Sequence, residues 1–302
     1  MREEERLIAQ ESHSFKGKGG ISAGFTLVEL LVVISIVSVL MGILVPVLGK
    51  VRRQARIVVG VGNQRQIVSG LNCYTIDNDG SFPESVATIG HDDNWNWQAP
   101  TVLTSIESRA PHVHRAMSEY LRSYIRDATT MFCPGAPRRY KYLQQAWDAG
   151  DEWNNPDTWL LSDWVKGTYC FYWNYTGLLE EGLFKGPRNS IGGRGESRLL
   201  VSCYFGYDLY RSPDAYGSCE KFRGAGKVPE ETASSAYWAR VKSGSVDLNT
   251  IDVEIHAGYT DGHVDSYTPA DVVTMKVIKD RSTLEPYDYG PGEFYLPRDA
   301  VR

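Results

Sequence analysis

The chain has 302 residues, a formal net charge of −5 and 42% hydrophobic residues. That length is enough for one sizeable core, and the hydrophobic content is that of a folded rather than a disordered chain. Mild acidity provides no electrostatic footprint for nucleic acid, so no nucleic-acid partner is expected.

Residues 1–24 show no helical or strand periodicity and contain a Gly/Lys/Ser tract from Lys16 to Ser22. Arg2, Arg6, Lys16 and Lys18 balance Glu3, Glu4, Glu5 and Glu11, so this stretch is neutral. It reads as a leader and is set aside from the fold. The next stretch dominates the chain. From Leu30 to Leu48, nineteen residues carry no charge. At about 1.5 Å per residue they span roughly 28 Å, close to the hydrocarbon thickness of a bilayer. Lys16 and Lys18 on one side, and Lys50, Arg52, Arg53 and Arg56 on the other, frame it. Residues 25–50 are therefore expected to be a membrane-spanning helix. Pro46 should kink it. Ser38 and Gly42 form a small-xxx-small pair, with Ser35 beside them, so a neighbouring helix can approach closely. Glu29 sits near the start of the apolar run. A carboxylate there is costly unless it finds a partner.

The run Gly24-Phe25-Thr26-Leu27-Val28-Glu29-Leu30-Leu31-Val32 resembles the processing site of type IV prepilins and type II secretion pseudopilins. The resemblance implies that a membrane prepilin peptidase cuts after Gly24 and that Phe25 becomes an N-methylated N-terminus. It further implies that Glu29 meets the N-terminal ammonium of a neighbouring subunit, and that Pro46 is the kink proline of the filament-core helix. The expected partners are the peptidase, copies of the chain or other pilin-like subunits, and an inner-membrane assembly platform. The expected location is the bacterial inner membrane, single-pass, with the globular domain on the periplasmic side and later in an extracytoplasmic filament. The basic cluster from Lys50 to Arg56 taken alone argues for the opposite orientation.

Residues 51–83 should continue the helix into water and then turn. Val51, Ala55, Val58, Gln66, Leu71 and Tyr74 trace a rough helical stripe. Gly60 and Gly62 each weaken a helix by about 1 kcal/mol, so a bend or melted turn is expected over 59–63. Asp79-Gly80 signals a turn and Pro83 ends the helix. The segment from Asn63 to Pro83 resembles pseudopilin-like proteins with enlarged soluble domains. No cofactor is expected. A calcium loop at Asp77/Asp79 is the sharper alternative, although the EF-hand spacing is not met.

Residues 84–302 read as the globular domain. Residues 84–111 look loop-rich, with Trp95 and Trp97 plugging onto the core or stacking on a sugar. A metal site at His91, Asp92 and Asp93 is the other reading of that stretch. A helix is predicted over His112–Arg126, leading into Met131-Phe132-Cys133-Pro134, which resembles the Cys-Pro turn of the same expanded family. Tyr169–Tyr175 and Leu199–Tyr207 read as strands, with a mobile surface loop from Lys185 to Arg198 between them. Ile251–Tyr259, Asp261-Gly262 and His263–Tyr267 read as a hairpin. Within it, Asp261-Gly262-His263-Val264 resembles that family's signature. His263 is read either as a ligand or base, or as a residue flanking the turn. Asp271–Lys279 is a strand or short helix, and the tail after Leu284, with Pro286, Pro291 and Pro297, is expected to wrap the surface. The odd cysteine count of five, Cys73, Cys133, Cys170, Cys203 and Cys219, leaves the pairing open.

The expected architecture is α+β, a long N-terminal membrane-spanning helix packed on an antiparallel β-sheet. The expected role is structural, in a type IV pilus or a type II secretion pseudopilus concerned with protein secretion. A pilin-anchored surface adhesin or glycan-binding module is the alternative. A tethered hydrolase is disfavoured, because the chain offers no His-Glu-x-x-His and no usable carboxylate pair.

Overall fold

The structure is a computed structural model and describes residues 25–91, 94–105, 114–135, 140–157, 164–207, 255–286 and 293–301. The leader, Gly24, Asp92, Asp93, His112, Trp159, Cys219 and residues 211–249 lie outside the described residues.

One helix, α1 (Leu27–Asp77), opens the described chain. It is followed by β1 (Thr88–His91), β2 (Asn94–Trp97), β3 (Val102–Thr104), the short helices α2 (Ser118–Leu121) and α3 (Leu143–Ala149), and β4 (Val165–Lys166). Then come β5 (Tyr169–Phe171), β6 (Thr176–Leu178), β7 (Leu183–Lys185), β8 (Leu199–Cys203) and β9 (Gly206–Tyr207). The last elements are β10 (Ile255–Tyr259), β11 (Val264–Tyr267), β12 (Val272–Lys276), β13 (Ile278–Asp280), β14 (Glu285–Pro286) and β15 (Glu293–Pro297). The fold is α+β, and every strand pairing described is antiparallel. Two sheets carry the domain, one ordered β11-β10-β8-β5 and the other β7-β6-β12-β15-β9.

Residues 1–50 and 51–302 form separate compact units. In the first, every described residue is exposed. In the second, residues 51–77 of α1 bury Ile57, Gly60, Gln64, Ile67, Val68, Gly70, Leu71 and Thr75, and through Gly60, Gln64 and Val68 they meet β5, β8 and β10 of the β11-β10-β8-β5 sheet. These fall at helical spacings of three and four, which is one face. The stripe expected from the sequence is corrected here. Leu71 and Tyr74 belong to the packed face, whereas Val51, Ala55, Val58 and Gln66 are exposed. Position, rather than hydrophobicity, decides which side chains are buried.

Nor does the helix melt at 59–63. Gly60 is buried against the sheet, and without a side chain its carbonyl accepts the Tyr169 hydroxyl at 3.4 Å. Gln64, fully buried, donates from Nε2 to the His256 carbonyl at 3.1 Å and to Cys203 Sγ at 3.3 Å. Those bonds tie α1 to β8 and β10. Gly258 of β10 is required by close approach: a Cβ there would stand 2.9 Å from Val68 Cγ2 and 3.0 Å from Val201 Cγ1. Burial of the helix stripe, at about 1.5–3 kcal/mol for each large aliphatic side chain, outweighs the intrinsic cost of the two glycines.

The turn after α1 is as expected. Asp79 and Gly80 take positive φ (52° and 77°), and the Gly80 N–H reaches back to the Thr75 carbonyl at 2.7 Å. The Asp261-Gly262 hairpin is also present, with Gly262 at φ 94°. Several other expectations are corrected. β1 and β2 pair antiparallel, with Trp95 and Trp97 both on β2. The helix expected over His112–Arg126 is four residues long where it is described. Cys133 lies just after a 3-10 turn (Ala128–Met131) and is buried. The Tyr169–Tyr175 strand stops at Phe171, because the chain turns at Asn174, whose φ is 50°. Leu199–Tyr207 splits between the two sheets. Finally, β15 lies inside a sheet, between β12 and β9, with Phe294, Tyr295 and Leu296 buried. Residues 294–297 of the tail are core, not wrapping.

Candidate functional site

The site built by the sequence is the start of α1. Thr26 precedes the first helical residue and Glu29 lies three positions on. The Thr26 N–H and hydroxyl donate to Glu29 Oε2 at 2.8 and 2.7 Å, and the Glu29 N–H donates back to Thr26 Oγ1 at 3.2 Å. This is a reciprocal capping box, which satisfies backbone donors that a helix start otherwise leaves orphaned. The partial positive charge of the helix N-terminus favours the carboxylate further. Glu29 is thus held at the lip of an apolar helix with its charge locally satisfied, one turn from Phe25. The cap could have been read from Thr-x-x-Glu ahead of an apolar run, a signal that Glu29's charge alone obscured.

Phe25 is 73% exposed, and Leu27 and Val28 are similarly open. Pro46 lies inside α1 without ending it. Ser35 and Ser38 turn their hydroxyls inward onto the Val32 and Ile34 carbonyls, each at 2.7 Å. Beside them, a Cβ built on Gly42 or Gly49 would meet nothing within 4 Å. The polar atoms on this stretch are therefore used within the helix, leaving small, uncharged surface.

Elsewhere, the other residues singled out in the sequence make contacts within the domain. Asp77 accepts the Tyr124 hydroxyl at 2.6 Å, a bond that pushes the Tyr124 pKa up to about 12. Among the described residues, no three His, Cys, Asp or Glu side chains are grouped to hold a metal ion. Asp261 accepts from the His263 ring and from Arg198 Nη2 at 2.7 Å, while His263 stacks flat on Tyr259 with centroids 4.5 Å apart. Desolvation alone would raise the Asp261 pKa. The hydrogen bonds from His263 and the charge of Arg198 outweigh it and hold that carboxyl below its usual range. His263 thus braces the hairpin turn. No disulfide joins Cys73, Cys133, Cys170 or Cys203, and all but Cys73 are buried. Trp97, Trp147, Trp153 and Trp173 are buried, whereas Trp95 and Trp164 are half-buried under Arg281 and Lys166, 4.6 and 5.0 Å from their ring centroids.

Residues 21–45 match the prokaryotic N-terminal methylation motif. The match brackets the capped start of α1 and most of its uncharged run. It also contains most of Gly20-Ile21-Ser22-Ala23-Gly24, a Gly-x-Ser-x-Gly spelling that lies ahead of the helix and outside the described residues. No curated protein and no solved structure matches the chain. The motif and the long apolar helix together are consistent with a type IV pilin-like protein. They point to a membrane-anchored precursor and to a structural subunit rather than an enzyme.

Proposed function

We propose that the chain is a filament subunit made as a precursor. A prepilin peptidase hydrolyses the Gly24–Phe25 peptide bond, and the new amino group of Phe25 is N-methylated. The subunit waits in the inner membrane, spanning it with residues 25–50, with the domain on the periplasmic side. An inner-membrane assembly platform then builds it into a type IV pilus or a type II secretion pseudopilus. In the filament, Glu29 pairs with the N-terminal ammonium of a neighbour.

The observation that supports this best is the coincidence of the matched motif with the capped, charge-bearing start of an otherwise uncharged helix. An ammonium and a carboxylate in a low-dielectric bundle are each costly alone and tolerable together. The Thr26 cap keeps Glu29 satisfied in the lone subunit, so the charge can wait in the membrane until a neighbour arrives.

The test separates insertion from assembly. Glu29→Ala is expected to reach the membrane at the normal level and to be missing from sheared filaments. Normal filament yield from that variant would contradict the role given to the charge.

A further inference from the structure

Alongside the soluble part of α1 runs a groove of about 500 Å³, closed on its other side by the segment following α2. From α1 it is lined by Arg65, Gln66, Ser69 and Cys73, and from the facing wall by Arg126 and Thr130. Gly70 sets its width: a Cβ there would come within 2.8 Å of Ile125 Cγ1, so the glycine lets the two walls close at the floor. Arg65 and Arg126 are exposed, and neither has an ion pair among the described residues. Asp127 also lines the groove, with one carboxylate oxygen accepting the Thr129 N–H. Two guanidiniums outside any ion pair, against the single carboxylate of Asp127 among the groove's lining residues, leave a positive excess beside hydroxyl and amide donors; they suit carboxylates, which they can grip in forked geometry.

The chain carries the complement on another element. The β6–β7 hairpin closes tightly, with the Leu179 N–H bonded to the Gly182 carbonyl at 3.0 Å and Gly182 at φ 84°. Its tip is Glu180-Glu181, both exposed and both without an ion pair among the described residues.

We propose that the Arg65/Arg126 groove receives the Glu180-Glu181 tip of a second copy of this chain. Two different patches that fit one another make a heterologous contact, which repeats without pairing off and can build an open helical polymer. This rests on the filament reading and adds a contact between globular domains to the packing of apolar helices.

The experiment uses the full chain in cells that process it, with sheared filaments as the readout. Arg65→Glu with Arg126→Glu is expected to lower filament yield about fivefold or more, with membrane level and cleavage unchanged. Adding Glu180→Lys and Glu181→Lys is expected to restore it to within about twofold, since each reversed patch again meets its opposite. In a Cys219→Ser background, Glu181→Cys should give an intermolecular disulfide to Cys73 under mild oxidation, absent when Cys73→Ser is added. Full filament yield from the Arg65/Arg126 variant, or failure of the fourfold variant to recover, would overturn the docking. So would a Cys73 adduct only with some other protein. If those results appear while wild-type filaments form, the docking alone is wrong. If wild-type protein forms no filaments and no cross-linked copies, the filament reading falls with it.

Discussion

The two halves of α1 are one helix under two regimes. Residues 25–50 bury nothing within the chain and carry one charge before Lys50, the capped Glu29. Residues 51–77 carry Arg52, Arg53, Arg56 and Arg65 on their exposed or half-exposed side and bury a stripe from Ile57 to Thr75 in the domain. Hydrophobicity is therefore a poor guide to burial along this helix. The most apolar residues are the open ones, and Gln64, a polar amide, is fully buried. In the first half, apolar surface stays exposed, as the membrane-spanning and filament-core role proposed for it requires. In the second it is used up by the domain's own core. A substitution should consequently affect assembly in one half and domain stability in the other.

That contrast can be broken in several ways. The largest effect is expected from Gly24→Ala, which should leave the leader attached and reduce filament incorporation to background while the domain folds normally. Immunoblot mobility and sheared-fraction yield check it. Next, Leu71→Ala should destabilise the domain by about 2–5 kcal/mol, the range for deleting a fully buried leucine. Leu40→Ala, in the exposed half, should leave domain unfolding within about 0.5 kcal/mol of wild type. Denaturant unfolding of the detergent-solubilised chain, followed by tryptophan fluorescence, compares the two. Gly258→Ala should cost about 1–3 kcal/mol by forcing a methyl group between Val68 and Val201, read by the same measurement.

The smallest effect is a pH dependence at the hairpin turn. The Asp261 carboxyl is held below its ordinary value in the folded chain. Its contribution is therefore present above the usual aspartate range of about 3.9 and is lost as pH falls through the lower folded value. Asp261→Asn should flatten the acid limb of the melting-temperature profile, slightly, because the pair with Arg198 is solvent-exposed. An unchanged acid limb would mean that the turn is braced by backbone geometry alone.

Much of this was legible in the residues. The uncharged run from Leu30 to Leu48 and the Gly24–Val32 stretch disclosed the helix and the methylation motif that residues 21–45 match, because charge and length are local properties. The turns at Asp79-Gly80 and Asp261-Gly262 were legible for the same reason. What failed was non-local. Gly60 looked like a helix breaker because the sheet that covers it is built more than a hundred residues later, at Tyr169. The tail looked like surface because of its prolines. Yet Pro297 ends β15 and Pro286 sits in a two-stranded pair, where neither interrupts a long ladder. Asn174 carries a left-handed backbone conformation that alternation along Tyr169–Tyr175 does not reveal.

The central claim is that the helix works only after its head has been removed. Intact-mass and N-terminal peptide measurement of the protein extracted from its native membrane tests it most directly. The account predicts a chain that starts at Phe25 with one methyl group on its amino nitrogen. Protein that retains residues 1–24 in the filament, or that starts at an unmethylated residue elsewhere, would contradict it.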